Sequence, residues 1–299
     1  MTEGIKKPLR ALFRTAMQFY PREYGKYSIL MKLYFPYLAP TSPTKEVVTL
    51  HDGIRMELVL NEYVQSQLYL FGAFEPATVK VLKRLVKSGD TVLDIGANVG
   101  YISLVLAKCV GKNGKVFSFE PDSKNFALLN RNIALNPDCY IKPIALAVSD
   151  SHQPIRLYHA KFDFNAGAHS MLPSEKHSSD FVEIEATTID EFVTSHGLKK
   201  VDVIKIDIEG AEMKAFNGMT ETLRNSRPLI VCELCEEHQV RAGYTTQAVK
   251  KWMAETFDMQ AFKVMESGRL TETPIEATHL ADNIVFVPHE RVQEVKAFL

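Results

Sequence analysis

Between Asp90 and Pro121 the chain reads D-T-V-L-D-I-G-A-N-V-G-Y-I-S-L-V-L-A-K-C-V-G-K-N-G-K-V-F-S-F-E-P, and no other stretch constrains the fold as strongly. Thr91–Ile95 is a short apolar run, and Gly96-Ala97-Asn98-Val99-Gly100 turns the chain. Tyr101–Val110 has helical spacing, with Ile102, Val105, Leu106 and Cys109 on one side. Gly111, Asn113 and Gly114 stop that helix, and Lys115–Phe119 supplies the next apolar strand. Strand, glycine turn, helix and strand make half of a nucleotide-binding βαβ unit. Glu120 stands at the tip of its second strand, where a carboxylate is suited to gripping the two hydroxyls of a ribose.

The rest of the chain extends that pattern. Val47–Leu50 and Arg55–Leu60, joined through His51-Asp52-Gly53, read as a β-hairpin. Pro76 fits the first position of a helix over Ala77–Lys87. After Glu120 the spacing predicts a helix over Ser123–Leu135, then a strand and its exit over Ile141–Val148. Ile155–His159 and Phe181–Thr187 read as an antiparallel pair enclosing a polar loop. Thr188–His196 follows as a helix, and Val201–Ile208 as a strongly β-branched strand. A helix running through Leu223, a strand at Pro228–Glu233, a helix at Thr246–Thr256 and a strand pair, Met259–Val264 with Asn283–Val287, complete the series. Alternating strands and helices predict an α/β fold, a Rossmann-like doubly wound sheet of seven mostly parallel strands. Residues 1–67 are expected to form a helical arm and hairpin, a lid or an oligomer contact, and residues 68–299 the ligand-binding domain.

Composition narrows the class of partner. A net charge of −1 gives no reason to invoke nucleic acid. Residues 1–40 hold seven Lys or Arg against two Glu, about +5, which leaves about −6 for the remainder. The arm alternates these cations with aromatic and aliphatic groups, and Pro21 and Pro36 are expected to divide it into two or three short helices. It reads either as a basic anchor at a membrane surface or as an arm packed on the main domain, within a homodimer. Cys109, Cys139, Cys232 and Cys235 are too few for a disulfide scaffold, and no signal peptide or bilayer-long apolar run is present in the sequence, so a reducing cytoplasm is the expected setting. The Cys232-x-x-Cys235 spacing has no second pair to complete a zinc site and no clear helix start for redox work, so these thiols are expected to pack.

Ligands of such sheets bind beyond the carboxyl ends of the strands, and here those ends carry Asp94, Glu120, Asp207 with Glu209, and Glu233. Asp94 is the discriminating residue, two positions before the first glycine. A pyrophosphate would meet a carboxylate there, whereas a cation would be welcome. S-adenosylmethionine (SAM) has a ribose and adenine, an ammonium and a sulfonium, and no phosphate, so it suits Asp94 and Glu120 better than NAD does. In V-D-V-I-K-I-D-I-E-G, Lys205, Asp207 and Glu209 share one face of the strand, and the buried lysine needs an acidic partner, Asp207 being nearest.

D-I-G-A-N-V-G, F-E-P and K-I-D-I-E-G-A-E in this order resemble the FkbM family of SAM-dependent methyltransferases, over about residues 68–236. The resemblance implies O-methylation of a hydroxyl on a small-molecule or glycan acceptor, a sugar or natural product among them, with SAM as cofactor. Expected cofactor-binding positions are Glu75, Asp94, Gly96, Ala97, Asn98, Gly100, Tyr101, Glu120, Pro121 and Asp207. Asp207, Glu209, His169 and His238 are the candidates to orient or deprotonate the acceptor. Asp207, Glu209, Glu233 and His238 are also hard-ligand types suited to Mg²⁺, although their spacing does not demand a metal and none is assigned. Two other readings stand beside this one: a non-catalytic docking module on the same fold, and an NAD-linked oxidoreductase. The second is opposed by Asp94 and by the missing third glycine of G-x-G-x-x-G.

Overall fold

The computed structural model describes residues 3–20, 25–160 and 177–299. Helix α1 (Glu3–Gln18) is followed by a short α2 (Lys26–Ile29) that runs on into π-helical turns over Leu30–Leu38. Pro36 lies inside those turns and does not end them, contrary to the expected break, while Pro21 lies outside the described residues. A hairpin of β1 (Lys45–Thr49) and β2 (Arg55–Val59) leads to α3 (Tyr63–Phe71) and α4 (Pro76–Leu85). The βαβ core is β3 (Thr91–Ile95), α5 (Tyr101–Val110) and β4 (Lys115–Phe119), then α6 (Ser123–Ala134) and β5 (Ile141–Ile144). Short β6 (Ala147–Val148), β7 (Ile155–Ala160), β8 (His177–Ile184), β9 (Ala186–Thr187) and α7 (Ile189–Ser195) precede β10 (Val203–Ile206). The chain finishes with α8 (Glu212–Asn217), α9 (Thr220–Ser226), β11 (Leu229–Leu234), α10 (Glu236–Arg241), α11 (Thr246–Phe257), β12 (Met259–Val264), β13 (Leu270–Glu272), β14 (Asp282–Pro288) and α12 (Val292–Val295).

The main sheet has the order β13-β12-β14-β11-β10-β3-β4-β5. From β11 to β5 every pairing is parallel, and β14, β12 and β13 join antiparallel. The doubly wound, mostly parallel architecture is therefore as the sequence indicates, with β13 adding an eighth strand at one edge. The chain leaves β3 toward β4 and β5, then returns on the other side through β10 and β11. That reversal opens a crevice between β3 and β10, where such sheets bind ligands.

Alternation along each strand divides the core into two layers. Val92, Val116, Val203 and Val231 join a cluster on one face, which also takes in Leu30 and Tyr34 of the arm and Met56 of the hairpin. Leu93, Phe117, Ile204 and Ile230 face the opposite cluster. Both faces are covered, as parallel strands require. Each fully buried Val, Leu or Ile contributes about 1.5–3 kcal/mol relative to exposure.

Two further elements differ from the sequence expectation. The strand read as Phe181–Thr187 ends at Ile184, and Ala186–Thr187 departs to pair in parallel with Ala147–Val148. Amide groups either side of that pair are satisfied there, Ala147 N–H donating to Glu185 and Ser149 N–H to Thr187. The helix read as continuous through Leu223 breaks at Gly218, where a Cβ would lie 1.9 Å from the Ser149 carbonyl oxygen. The Asp190 carboxylate then accepts from the N–H groups of Glu221 and Thr222 and starts the second segment.

Candidate active site

A cleft of about 980 Å³, counting its open mouth, lies at the carboxyl ends of β3, β4 and β10. Its floor is the glycine turn. Gly96 has φ +83°, and a Cβ there would sit 1.9 Å from the Asp207 carbonyl oxygen, so the close approach of β3 to β10 needs a residue without a side chain. The amides of the turn are already engaged. Gly96 and Ala97 both donate to the Phe119 carbonyl, and Asn98, itself left-handed at φ +50°, donates to Glu120 Oε2 at 2.8 Å. A phosphate would find three of these donors spent, which is a structural argument against a dinucleotide.

Glu120 is held from both sides, with Oε1 accepting from Asp122 N–H at 3.0 Å. Asp122 caps α6 by accepting from Lys124 and Asn125 N–H, which fixes the loop carrying Pro121. Gly96, Ala97, Asn98, Tyr101, Glu120, Pro121, Asp207 and Glu209 all line the cleft. Burial pushes the Tyr101 phenol up to about 12, so it stays neutral.

Asp94 occupies a different position from the one its motif suggests. It is 0% exposed, beneath the cleft floor, and absent from the lining. Its Oδ2 accepts from Ser103 Oγ at 2.5 Å, and Ser103 accepts in turn from Ser118. Its Oδ1 has no hydrogen-bond partner. Burial, opposed by Lys205 and the Ser103 bond, raises its pKa. Gly100 is likewise below the surface, with Leu129 filling the space beside it.

At the other end of the cleft Lys205 and Asp207 line the wall, and Glu75, expected at the cofactor, and Glu233 lie close to that lysine without lining the cleft. Lys205 is buried, pairs in register with Asp94 across the β10–β3 ladder, and places Nζ 3.4 Å from Asp207 Oδ2. Burial alone would lower its pKa, but Asp207, Asp94, Glu75 and Glu233 outweigh burial and hold it raised. Glu75 approaches from the start of α4 in a left-handed conformation at φ +45°. It makes no side-chain cap to that helix and meets Asn283 at 3.4 Å. Burial and then the charge of Asp207 raise its pKa. Glu233, opposite Asn283 in the β11–β14 register, is pushed well above the carboxylate range by Asp207 first, then by burial and Glu75. Four acids surround one cation, an arrangement that attracts a further positive charge.

Beside Asp207 the chain turns through Glu209, left-handed at φ +57°, to Gly210. Glu209 Oε2 lies 2.9 Å from His238 Nδ1, and this pairing raises the imidazole's pKa. Glu209 lines the cleft and His238 does not. Buried Glu212 holds the turn by accepting from Ile208 and Gly210 N–H and from Gln239 on α10. His169 lies outside the described residues. No group of three or more His, Cys, Asp or Glu side chains among the described residues converges in a way that would hold a metal. Cys232 is buried, and Cys235 is the N-cap of α10, a helix start that the sequence reading did not assign.

Sequence reasoning passed over Asn125, Leu146 and Leu157, which complete the cleft wall. Leu146 and Leu157 carry no local signal, because long-range packing places their loop and strand, whereas Asn125 sits in the first turn of α6 directly after Asp122 and could have been found from the motif. Glu212 was quoted only as part of a motif, and its tie to Gln239 depends on where α10 lies.

Comparison with known proteins bears on this cleft. The family described as "Methyltransferase FkbM domain" matches residues 94–264, more than half of the chain. "Hexuronic acid methyltransferase AglP" of Haloferax volcanii is 27% identical over 181 residues, covering 60% of this chain and 68% of that protein. "2-O-methyltransferase NoeI" of Sinorhizobium fredii is 26% identical over 160 residues, covering 50% of this chain and 65% of that protein, just under two thirds of its length. The crystal structure of a methyltransferase FkbM from Methylobacillus flagellatus KT aligns with a TM-score of 0.41 at 19% identity, covering 67% of this chain and 43% of that one. No helix among the described residues is long and apolar enough to cross a membrane.

Proposed function

The chain belongs to the FkbM methyltransferase family, and from that membership and the chemistry of the cleft we propose that it transfers a methyl group from S-adenosylmethionine to a hydroxyl of a sugar, glycan or natural-product acceptor. One observation carries the choice of cofactor. The cleft has a carboxylate, Glu120, at one end and an excess of carboxylates around Lys205 at the other, while three amides of the turn between them are spent. A ligand with a ribose, an ammonium and no phosphate satisfies all three conditions.

The donor set fits that group. Glu120 would accept from the ribose hydroxyls, and Glu75, Asp207 and Glu233 would face the ammonium. Bound there, S-adenosylmethionine supplies a methyl group on a sulfonium, whose departure leaves a neutral thioether. Displacement at carbon needs the acceptor oxygen aligned with that methyl, so the enzyme's contribution is mainly positioning and dryness. Phe74, Leu146 and Leu157 provide apolar wall for the second of these. Glu209 orients the acceptor hydroxyl and takes its proton, with His238 behind it as a positioning residue that shares the charge. Lys205 keeps the acids from repelling one another before the cofactor arrives.

A hydroxylated sugar as acceptor is supported by the names of two relatives, one a hexuronic acid methyltransferase and one a 2-O-methyltransferase. The test is calorimetric titration with S-adenosylhomocysteine, with NAD as control, followed by methyl transfer from labelled SAM to sugars that include a uronic acid. Saturable binding of the homocysteine product and labelled methyl ether on a sugar are expected. Binding of NAD alone would overturn the cofactor assignment. Product binding with label on nitrogen or carbon would overturn O-methylation.

A further inference from the structure

Helix α1 has apolar residues on two sides. Phe13 and Met17 pack against the core, but Ile5, Leu9 and Leu12, which recur at i, i+4 and i+7, are all exposed, Leu12 at 69%. The residues turned inward include two cations. Lys6 Nζ donates to the Ala39 carbonyl, and Arg10, 1% exposed, donates to the Leu38 carbonyl and pairs with Glu3. Those carbonyls end the π-helical turns, where unpaired C=O groups and the helix dipole favour a cation. The Lys6 ammonium and the two terminal nitrogens of Arg10 thus have partners, only Arg10 Nε lacking one, and the apolar stripe faces away from the protein.

The neighbouring turns repeat the feature. Leu33 and Tyr37 are exposed, and seven of the sixteen exposed large hydrophobics among the described residues fall between positions 5 and 37. The exposed cations Lys7 and Lys32 accompany this surface, and the only acid described on α1, Glu3, is committed to Arg10. An unpartnered apolar stripe, on an arm whose exposed cations are Lys7 and Lys32 and whose one exposed acid is paired, complements an anionic lipid surface: aliphatic side chains enter the acyl boundary and the long lysine side chains reach the headgroups.

We propose that the outer face of α1 and the adjoining π-helical turns is a peripheral docking surface for anionic membranes. It is separate from the methyl-transfer cleft and does not depend on the acceptor assigned there.

The full chain is mixed with vesicles of phosphatidylcholine and phosphatidylglycerol in equal parts, or of phosphatidylcholine alone, and sedimented. Binding to the anionic vesicles only is expected, weakening as salt is raised. Leu9→Ser with Leu12→Ser should reduce it by about tenfold or more, and Lys7→Glu with Lys32→Glu should do the same. All four side chains are exposed, so thermal melting and S-adenosylhomocysteine binding should stay at wild-type values, which separates lost docking from lost fold. Failure of the wild-type chain to sediment with anionic vesicles would overturn the proposal, as would undiminished binding by the leucine variant. A wild-type dimer that the leucine variant converts to monomer would also overturn it, assigning the face to a second copy of the chain.

Discussion

Lys205 on β10 stands opposite Asp94 on β3 in the register of the central parallel pair, and its ammonium reaches forward to Asp207 at 3.4 Å. One buried cation thereby links the sealed acid beneath the cleft floor to the acid on its wall. Replacing it with a neutral side chain of similar length, Lys205→Met, leaves buried carboxylates uncompensated, which is expected to cost about 3–5 kcal/mol of stability at neutral pH. Carboxyls whose folded pKa is raised contribute stability below the ordinary carboxylate range and lose it as pH rises through the raised value. The deficit of the variant should therefore grow with pH. Urea unfolding at mildly acidic and neutral pH would measure it, and a deficit independent of pH would contradict this account.

Glu233 sets function against stability. Its pKa is held well above the usual range by Asp207, burial and Glu75, so its ionised form opposes folding at neutral pH. Glu233→Gln removes that repulsion and should stabilise the ligand-free protein by about 0.5–2 kcal/mol, the size common to such trades between stability and activity. The same change should weaken S-adenosylhomocysteine binding. Melting curves and calorimetry on one preparation decide it, and a variant that is less stable yet binds normally would refute it.

The Glu209–His238 pair predicts a pH profile. The carboxylate raises the imidazole's pKa, and the imidazole must be neutral for the pair to receive a proton. Turnover should fall as pH drops through a value above the ordinary imidazole pKa of about 6.5. Glu209→Gln should move that inflection down and slow turnover by about 10²–10⁴ if proton removal is part of the transition state. An unchanged inflection in His238→Asn would remove His238 from the chemistry.

Gly96 is the position least tolerant of a side chain. Its φ of +83° and the 1.9 Å gap between an added Cβ and the Asp207 carbonyl oxygen mean that Gly96→Ala must separate β3 from β10 at the cleft floor. Destabilisation of more than about 1 kcal/mol is expected, since alanine at positive φ is strained. Loss of cofactor binding should exceed what the stability loss explains, because Asp207 moves with the strand. Amide chemical shifts confined to Gly96 and its immediate neighbours, with affinity intact, would show that the floor relaxes without consequence.

The local grammar of the chain was readable. Thr91–Ile95, Tyr101–Val110 and Lys115–Phe119 have the boundaries their residues announce, because apolar spacing and the flanking glycines act within a few residues of one another. The acids at the strand ends could be picked out for the same reason: alternation places every second residue of Val203–Ile206 on one face. Gly218 was harder, since nothing in N-G-M-T warns that Ser149 will pass against it. Likewise, Ala186–Thr187 continues the β pattern of Phe181 and changes partner only because Ala147–Val148 lies beside it.

The amino-acid sequence by itself determined the βαβ unit, the parallel sheet and the acidic character of its carboxyl end, since these follow from periodicity, turn residues and strand alternation over short spans. Tertiary structure alone decided what those acids do. It buried Asp94 under Ser103, brought Glu75 and Glu233 from distant segments to Lys205, set His238 against Glu209, and turned the apolar stripe of α1 outward while Lys6 and Arg10 went under. The physical reason is common to all four. A charge's environment is set by every group within several ångströms, and most of those groups come from elsewhere in the chain.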